Sequence, residues 1–440
     1  MAKKKQDLLV GLDIGTTEVR CLVGVRPTED DKKFHVLGLG YATNEGMRGG
    51  VIVNYDEVVG AVDTAIRQAE LNSGHKIEAV TVNVNGGHLR SEACRAEVAV
   101  SNADRVVTDF ERDLVDAKAR ELNVPPNREV IQFFANSYRV DQVKDLEDPV
   151  GIHGNVVGIK ALAITGLTAH VETLERVCAE VGIKINNKTV SSLAAYEATF
   201  SKKASESGVA VVDIGHSTTN VLVVKEGKVE HAAVIPLGGF NVTKDIAIIL
   251  QVDLDVAEFL KVNYADVNYD GRGTKTVEFN RQSINFSPKS LGEVTEARLR
   301  EICELIEDML QEAGYSQQLP GGIILTGGGS QTKGLKDLFQ DQLGIYTRLG
   351  KVRNFGGLVE TIEQKREYLT VAGILALDFT LQIDKLSNSP LRSGWLQGLS
   401  LFNLFRGKVR DKGEGLKQKL DQKLEQPAGK QKEAAKKSDD

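Results

Sequence analysis

The chain has 440 residues, 41% hydrophobic and 26% charged, an ordinary globular composition long enough for two or more domains. Its formal net charge of -6 excludes a body that binds nucleic acid non-specifically, which needs a basic face, so no nucleic-acid partner is expected. Cys21, Cys94, Cys178 and Cys303 stand singly, as reduced thiols packed inside a cytosolic protein do, and no H-E-x-x-H metal pattern occurs. The basic start, Lys3-Lys4-Lys5, has no long apolar stretch behind it, and no run of roughly 18 apolar residues appears. Neither a secretory signal nor a membrane span is expected, so the chain reads as cytoplasmic.

The first ordered signal is Leu8-Leu9-Val10-Gly11-Leu12-Asp13, then Ile14-Gly15-Thr16-Thr17, then a strand-like stretch from Val19 to Val25. Strand, tight glycine turn and returning strand predict a hairpin. Asp56 to Leu71 has a helical pattern. Residues 84–163 read as an inserted module, with a charged helix near Asp109–Glu121 and strands around Val130–Val140 and Val156–Ile164. Leu167 to Val181 is helical again. The opening hairpin then recurs as Val209-Ala210-Val211-Val212-Asp213-Ile214-Gly215, His216-Ser217-Thr218-Thr219 and Asn220 to Val224. Two such copies predict a duplicated domain, and strands alternating with helices predict an α/β architecture. Residues 243–318 read as helical at their ends with a polar middle at Tyr264–Pro288. Gly321 to Ser330 is a strand running into a glycine triplet, with Lys333-Gly334-Leu335 opening a helix. The globular body is expected to end near Ile383, and the Lys/Gln/Glu-rich sequence beyond Lys408 reads as a disordered tail.

A phosphate chain needs backbone N–H donors, close backbone approach and a counter-ion. Gly15, Thr16 and Thr17 offer amides and hydroxyls in the first hairpin; Gly215, Ser217, Thr218 and Thr219 offer them in the second. Asp13 and Asp213, at the strand ends, are placed to hold a hydrated Mg²⁺, which prefers carboxylate plus water. Gly327, Gly328, Gly329 and Ser330 form a turn on which a flat base can lie close to the backbone.

In this order the motifs resemble the actin/Hsp70/sugar-kinase superfamily. Asp13–Thr17 looks like its first phosphate loop, Asp213–Thr219 its second and Leu325–Ser330 its adenosine motif; Val190–Ala198 and Val371–Leu377 resemble its two connecting helices. The resemblance implies bound ATP with Mg²⁺. It also adds Gly238 and Gly239, together with Glu258 and Lys261, whose counterparts in relatives reach the nucleoside. The implied fold is α/β, with duplicated actin-like (ribonuclease-H-like) lobes, an inserted subdomain and a C-terminal amphipathic helix.

Within 84–163, Val130-Ile131-Gln132-Phe133-Phe134, Tyr138-Arg139-Val140-Asp141 and Asp148-Pro149-Val150-Gly151-Ile152-His153-Gly154 resemble the FtsA family, as does Ala297-Arg298-Leu299-Arg300-Glu301-Ile302. These are bacterial division actin homologues that tie the tubulin-like GTPase FtsZ to the inner membrane. The resemblance implies self-association into polymers, contact with the FtsZ C-terminal tail through about 243–318, and contact with later division proteins through 84–163. It divides the chain into a first lobe (1–83, continued at 164–190) interrupted by the inserted subdomain (84–163). A second lobe follows (191–242, continued at 319–370), interrupted by its own subdomain (243–318). A helix at 371–386 returns to the first lobe, followed by a linker and membrane-targeting helix at 387–410 and the tail at 411–440. A pilus-assembly scaffold, or another ATPase of the superfamily, is the alternative; the pilus-assembly relatives lack such a module.

From Lys385 to Arg410 there is no acid, and at ~100° per residue Leu391, Trp395, Leu399, Phe402, Phe405 and Val409 share one face, with Leu401 at its edge. With Arg406 among the basic flanks, this segment suits the interface of an anionic bilayer at the cytoplasmic face of the cell membrane. Related ATPases place a carboxylate or glutamine on the first connecting helix to orient the attacking water, and Val190–Ala195 has none. His216 stands where relatives carry Gly, and Asn220 where many carry Asp. At most weak ATPase activity is expected.

Overall fold

The computed structural model describes residues 8–26, 33–122, 124–353, 355–357 and 366–386. The proposed anchor residues Leu391, Trp395, Leu399, Leu401, Phe402, Phe405 and Arg406, and the tail after them, lie outside the described residues.

Near-continuous buried runs build β1 (Leu8–Ile14) and β2 (Glu18–Val25), and a two-residue period builds β3 (Phe34–Thr43), followed by the short β4 (Met47–Arg48) and β5 (Val51–Ile52), α1 (Tyr55–Ser73) and β6 (Ala79–Val84). The inserted module comprises β7 (Arg90–Ala99), α2 (Asp109–Leu122), β8 (Arg128–Val140), β9 (Val143–Leu146) and β10 (Val156–Leu167). The first lobe closes with α3 (Thr168–Glu180) and β11 (Lys184–Val190), and α4 (Ser191–Thr199) crosses to the second. There follow α5 (Lys202–Ser207), β12 (Val209–Ile214), β13 (Thr219–Lys225), β14 (Lys228–Ile235), α6 (Gly239–Leu250) and α7 (Leu254–Tyr264). The chain continues through β15 (Lys275–Phe279), β16 (Gln282–Phe286), α8 (Pro288–Glu312), β17 (Ile323–Thr326), α9 (Leu335–Leu343) and β18 (Thr347–Leu349). Finally β19 (Phe355–Gly357) pairs with β3, and α10 (Leu369–Leu386) packs on β1 and α4.

The duplication is visible in the wiring. One sheet runs β11-β6-β1-β2-β3-β19 and the other β14-β13-β12-β17-β18. In both, the first strand pairs antiparallel with its hairpin partner and parallel with a strand from much later in the chain, β6 or β17. Leu12, Val19, Cys21, Val62 and Val82 are among the side chains that fill the first core; Val212, Val221, Ile246, Leu260 and Ile302 are among those that fill the second. All four cysteines are buried and free.

The polar stretch at 264–288 is more ordered than its composition predicts. It holds the hairpin β15–β16, anchored by buried Val277 and Phe286. Its turn places Asn280 and Arg281 at positive φ, so the Asn-Gly signature that advertises such a turn is missing.

The module is a sheet in the order β7-β10-β8-β9 with α2 packed across it. Asp116 of α2 is buried there and accepts a hydrogen bond from the Tyr138 hydroxyl at 2.9 Å. Burial pushes its pKa up to about 6 against the pull of that bond. Its folded pKa therefore exceeds its unfolded value, so the ionised form costs stability above about pH 6 and the cost vanishes towards pH 4. Asp116→Asn keeps an acceptor for Tyr138 and is expected to be more stable than wild type at pH 7.5 by on the order of 2 kcal/mol. The gap should close as pH falls through 6 to 4, measured by urea denaturation across that range.

The lobes meet where α4 crosses α10. A Cβ on Gly373 would fall on the Ala194 carbonyl, inside van der Waals contact with helix backbone that cannot swing aside. Gly373→Ala is expected to lower stability by more than about 2 kcal/mol, read as an earlier urea midpoint.

Candidate nucleotide site

The two glycine turns are built alike. Gly15 N–H closes the first on the Glu18 carbonyl at 3.0 Å, and Gly215 N–H closes the second on the Thr218 carbonyl at 2.9 Å. Each turn is buttressed from behind. Asn44 donates to the Gly15 carbonyl at 2.7 Å, while the Gly239 N–H donates to the Gly215 carbonyl at 2.9 Å and Phe240 N–H to that of His216 at 2.7 Å. A Cβ on Gly238 would strike the Gly215 and His216 carbonyls, so glycine lets α6 sit against the second loop.

Asp13 and Asp213 are the penultimate residues of β1 and β12, the first hairpin strand of each lobe, and both are buried. Asn83, at the end of β6, donates to Asp13 Oδ1 at 2.7 Å; Thr326, at the end of β17, donates to Asp213 Oδ1 at 3.3 Å. Burial pushes the Asp13 carboxyl up to about 6, opposed by nearby Arg20. Burial, and then the Asp13 charge, push Asp213 up to about 7. A buried carboxylate whose charge raises the proton affinity of a second forms with it a fitting seat for a divalent cation, which relieves both. Hydrated Mg²⁺ held by Asp13 and Asp213 would supply charge neutralisation to a phosphate chain between the loops.

Thr16 and Ser217 are half-buried, Thr17 is exposed, and Thr218 is buried. The Thr219 hydroxyl is turned inward and donates to the Leu237 carbonyl at 2.9 Å. His216 stacks on Phe240 with ring centroids 4.9 Å apart. Burial, then nearby Lys261, lower its pKa, so the ring is neutral. Lys261 Nζ pairs with Glu258 at 2.6 Å and donates to the Gly239 carbonyl at 3.1 Å. Burial works to raise the Glu258 carboxyl, and the charge and hydrogen bond of Lys261 override it, holding the group below its ordinary range. The structure thus gathers Gly238, Gly239, Glu258 and Lys261 at the side of the second loop.

The glycine triplet divides its duties. Gly327 has φ +79, and a Cβ there would meet Asp213 Oδ1 and the Ile214 carbonyl; one on Gly329 would meet the Ile214 side chain. Both are needed to pack against the end of β12. A Cβ on Gly328 would meet open space. Ser330 is buried and donates to the Gly327 carbonyl at 2.7 Å, fixing the turn.

Sequence reading passed over Asn44, Asn83 and Asn85. The last two had a signal: Thr81, Asn83 and Asn85 alternate with valines along β6 and just past its end, where the core claims the valines. The first connecting helix also carries an acid, Glu197 in its last turn. It is buried, its Oε2 lacks a hydrogen-bond partner, and burial raises its pKa well above the ordinary value. A carboxyl held neutral there does not supply the water-orienting charge missing from the helix's first turn.

A family model described as "Cell division protein FtsA" matches residues 210–373, and one described as "SHS2 domain inserted in FTSA" matches residues 86–165. The cell division protein FtsA of Neisseria meningitidis serogroup B is 31% identical over 379 residues, covering 85% of this chain and 90% of the relative. That of Pseudomonas aeruginosa is 31% identical over 394 residues, covering 88% and 93%. The chain belongs to the FtsA family of cell division proteins. Solved structures agree on the fold. The PilM-PilN type IV pilus biogenesis complex matches with TM-score 0.60 at 15% identity, covering 84% of this chain and 98% of that one. MreB5 of Spiroplasma citri bound to ADP matches with TM-score 0.54 at 13% identity, covering 88% and 100%. The architecture of this FtsA-family chain is therefore actin-like, with an SHS2 domain inserted after β6.

Asp213→Asn removes one of two like charges from a buried site. The variant is expected to melt several degrees higher than wild type without metal, and to lose the rise in melting temperature that wild type gains from magnesium with ATP. Thermal denaturation with and without both ligands reads the two effects together.

Proposed function

We propose that this chain is an ATP-binding, actin-like cell-division protein. In this reading it polymerises at the cytoplasmic face of the cell membrane at the division site and tethers FtsZ there. The observation that carries the reading is the pair of matched turns whose buried carboxylates, Asp13 and Asp213, lie within electrostatic reach of each other between duplicated lobes. Such a pair is costly unless a cation and a polyanion join it. That the fold neighbour MreB5 is bound to ADP supports the same assignment. Ser191 and Ser192 open α4 where a water-orienting carboxylate or glutamine would stand, so the nucleotide acts as a conformational clamp and turns over slowly.

For the FtsZ tail, the reading favours a groove of about 440 Å³ between α6 and α8 lined by Ile248, Ile249, Val294, Ala297 and Arg298. Ile248 and Ile249 are 71% and 59% exposed, an apolar ledge on a subdomain whose other face is core. Arg298, ion-paired with Asp245 and Glu301, forms its charged rim. A short peptide inserting apolar side chains beside that rim fits the groove. For self-association, Phe110 and Leu114, 67% and 43% exposed on α2, give the module an outward apolar face.

Among the described residues no helix is long and apolar enough to cross a membrane. The reading assigns attachment to residues 391–409, where burying several large apolar side chains at ~1.5–3 kcal/mol each gives reversible binding that polymerisation strengthens.

The test is co-sedimentation of full-length protein with anionic phospholipid vesicles and FtsZ. Wild type is expected to pellet and bring FtsZ down. Trp395→Glu with Phe402→Glu should leave both proteins in solution, and Ile249→Asp should pellet alone. FtsZ reaching vesicles equally well with all three proteins would sink the tether. Calorimetry should detect ATP and ADP with magnesium, and a turnover near ~1 s⁻¹ or faster, in the usual enzyme range, would sink the clamp.

A further inference from the structure

The duplication makes the carboxyl ends of β6 and β17 equivalent places. Asp13 lies beside Asn83 as Asp213 lies beside Thr326, each receiving a hydrogen bond from its neighbour. After Thr326 the second lobe spends its next residues on Gly327-Gly328-Gly329. After Asn83 the first lobe continues with Val84-Asn85-Gly86 and then enters the module. Ligands of α/β sheets gather at such carboxyl ends. The first lobe's turn therefore faces the same cleft as the second's, with an asparagine where the second has glycine.

Both asparagine amides have their orientation fixed by backbone donors. Asn83 Oδ1 accepts the Ile14 N–H at 2.8 Å, which turns its Nδ2 towards Asp13 Oδ1 at 2.7 Å and Ser191 Oγ at 3.0 Å. Asn85 Oδ1 accepts the Gly86 N–H at 2.8 Å, which turns its Nδ2 to Thr218 Oγ1 at 3.2 Å, in the opposite lobe. A hydroxyl that accepts from an amide keeps its own proton to give elsewhere. Ser191 opens α4, and Thr218 closes the second glycine turn.

We propose that Asn83 and Asn85 are positioning residues of the nucleotide site. Their amides hold Asp13, Ser191 and Thr218 so that the carboxylate meets the metal and the two hydroxyl protons are free for phosphate oxygens. The inference rests on the nucleotide reading above. It adds that the end of β6 and the residue just past it set polar groups of both lobes at once, through Asn83 and Asn85 two positions apart.

The experiment is a double-mutant cycle on full-length protein, titrated with ATP, ADP and adenosine in magnesium by calorimetry. Asn85→Ala is expected to weaken ATP about tenfold, on the scale of one hydrogen bond to a charged group, and to leave adenosine unchanged. Thr218→Ala should do the same. The double variant should bind no more weakly than Thr218→Ala, because Asn85 acts through that hydroxyl. Asn85→Gln, which restores a donor, should recover part of the loss, which a merely structural role would not produce. Asn83→Ala should raise the magnesium concentration needed for half-maximal ATP binding several-fold. Because Asn83 also satisfies Ile14, a variant that fails to fold leaves the Asn85 cycle to decide. Asn85→Ala binding ATP like wild type, or losses that simply add in the double variant, would overturn the asparagine assignment alone. Absence of ATP binding by wild type would overturn that assignment and the nucleotide reading together.

Discussion

Two carboxylates buried within reach of each other set the terms for the rest of this molecule. Asp13 and Asp213 are each less than a tenth exposed, and their proton affinities climb towards neutrality. A fold does not keep such a pair without a use for it, since two neutral side chains of similar size would be more stable there. Every nearby device serves to hold them. The glycine turns end the strands sharply, amide and hydroxyl donors from the adjacent parallel strands fix one oxygen of each, and Arg20, paired with Glu18 over the Tyr368 ring, supplies positive charge close by.

The lobes that carry these turns are joined where two helices cross at glycine and alanine, with backbone nearly in contact. That crossing is close because Gly373 has no side chain. The second of these helices, α10, is also tied to the strands of the site. Its buried Asp378 accepts the Val10 N–H at 3.1 Å and the Thr81 hydroxyl at 2.7 Å, gripping β1 and β6 together. Asp13 and Asn83 are the penultimate residues of those strands. The last described helix is thus coupled by direct hydrogen bonds to the strands beneath the proposed nucleotide site, and the chain continues from it towards the segment proposed to meet the membrane.

The inserted module has a place in the same scheme. It leaves the first lobe from β6, two residues past Asn83, and leans on the second lobe, where Asn136 donates to the Val229 carbonyl at 2.9 Å. A domain rooted beside one glycine turn and resting on the opposite lobe feels any change in the angle between them. That contact gives the module a physical route to the cleft.

Sequence alone was enough to locate the two turns, their duplication and the module, because each rests on local rules. An apolar run closing on an acid and a glycine marks a strand leading into a turn, and a repeated pattern implies a repeated fold. The family could likewise be read from motifs inside the module. The hairpin at 275–286 escaped because its turn residues, Asn280 and Arg281, lack the usual glycine and its apolar positions are few. The asparagines escaped for a different reason. Asn44, Asn83 and Asn85 matter only through partners 29, 70 and 133 positions away, Gly15, Asp13 and Thr218, and no local pattern encodes a contact at that range. Likewise Gly327 and Gly329 read as room for a base, yet the fold spends them on contact with Ile214 and Asp213. Which polar groups the chain brings together, and which glycines are filled by neighbours, is decided only when two distant strands lie side by side.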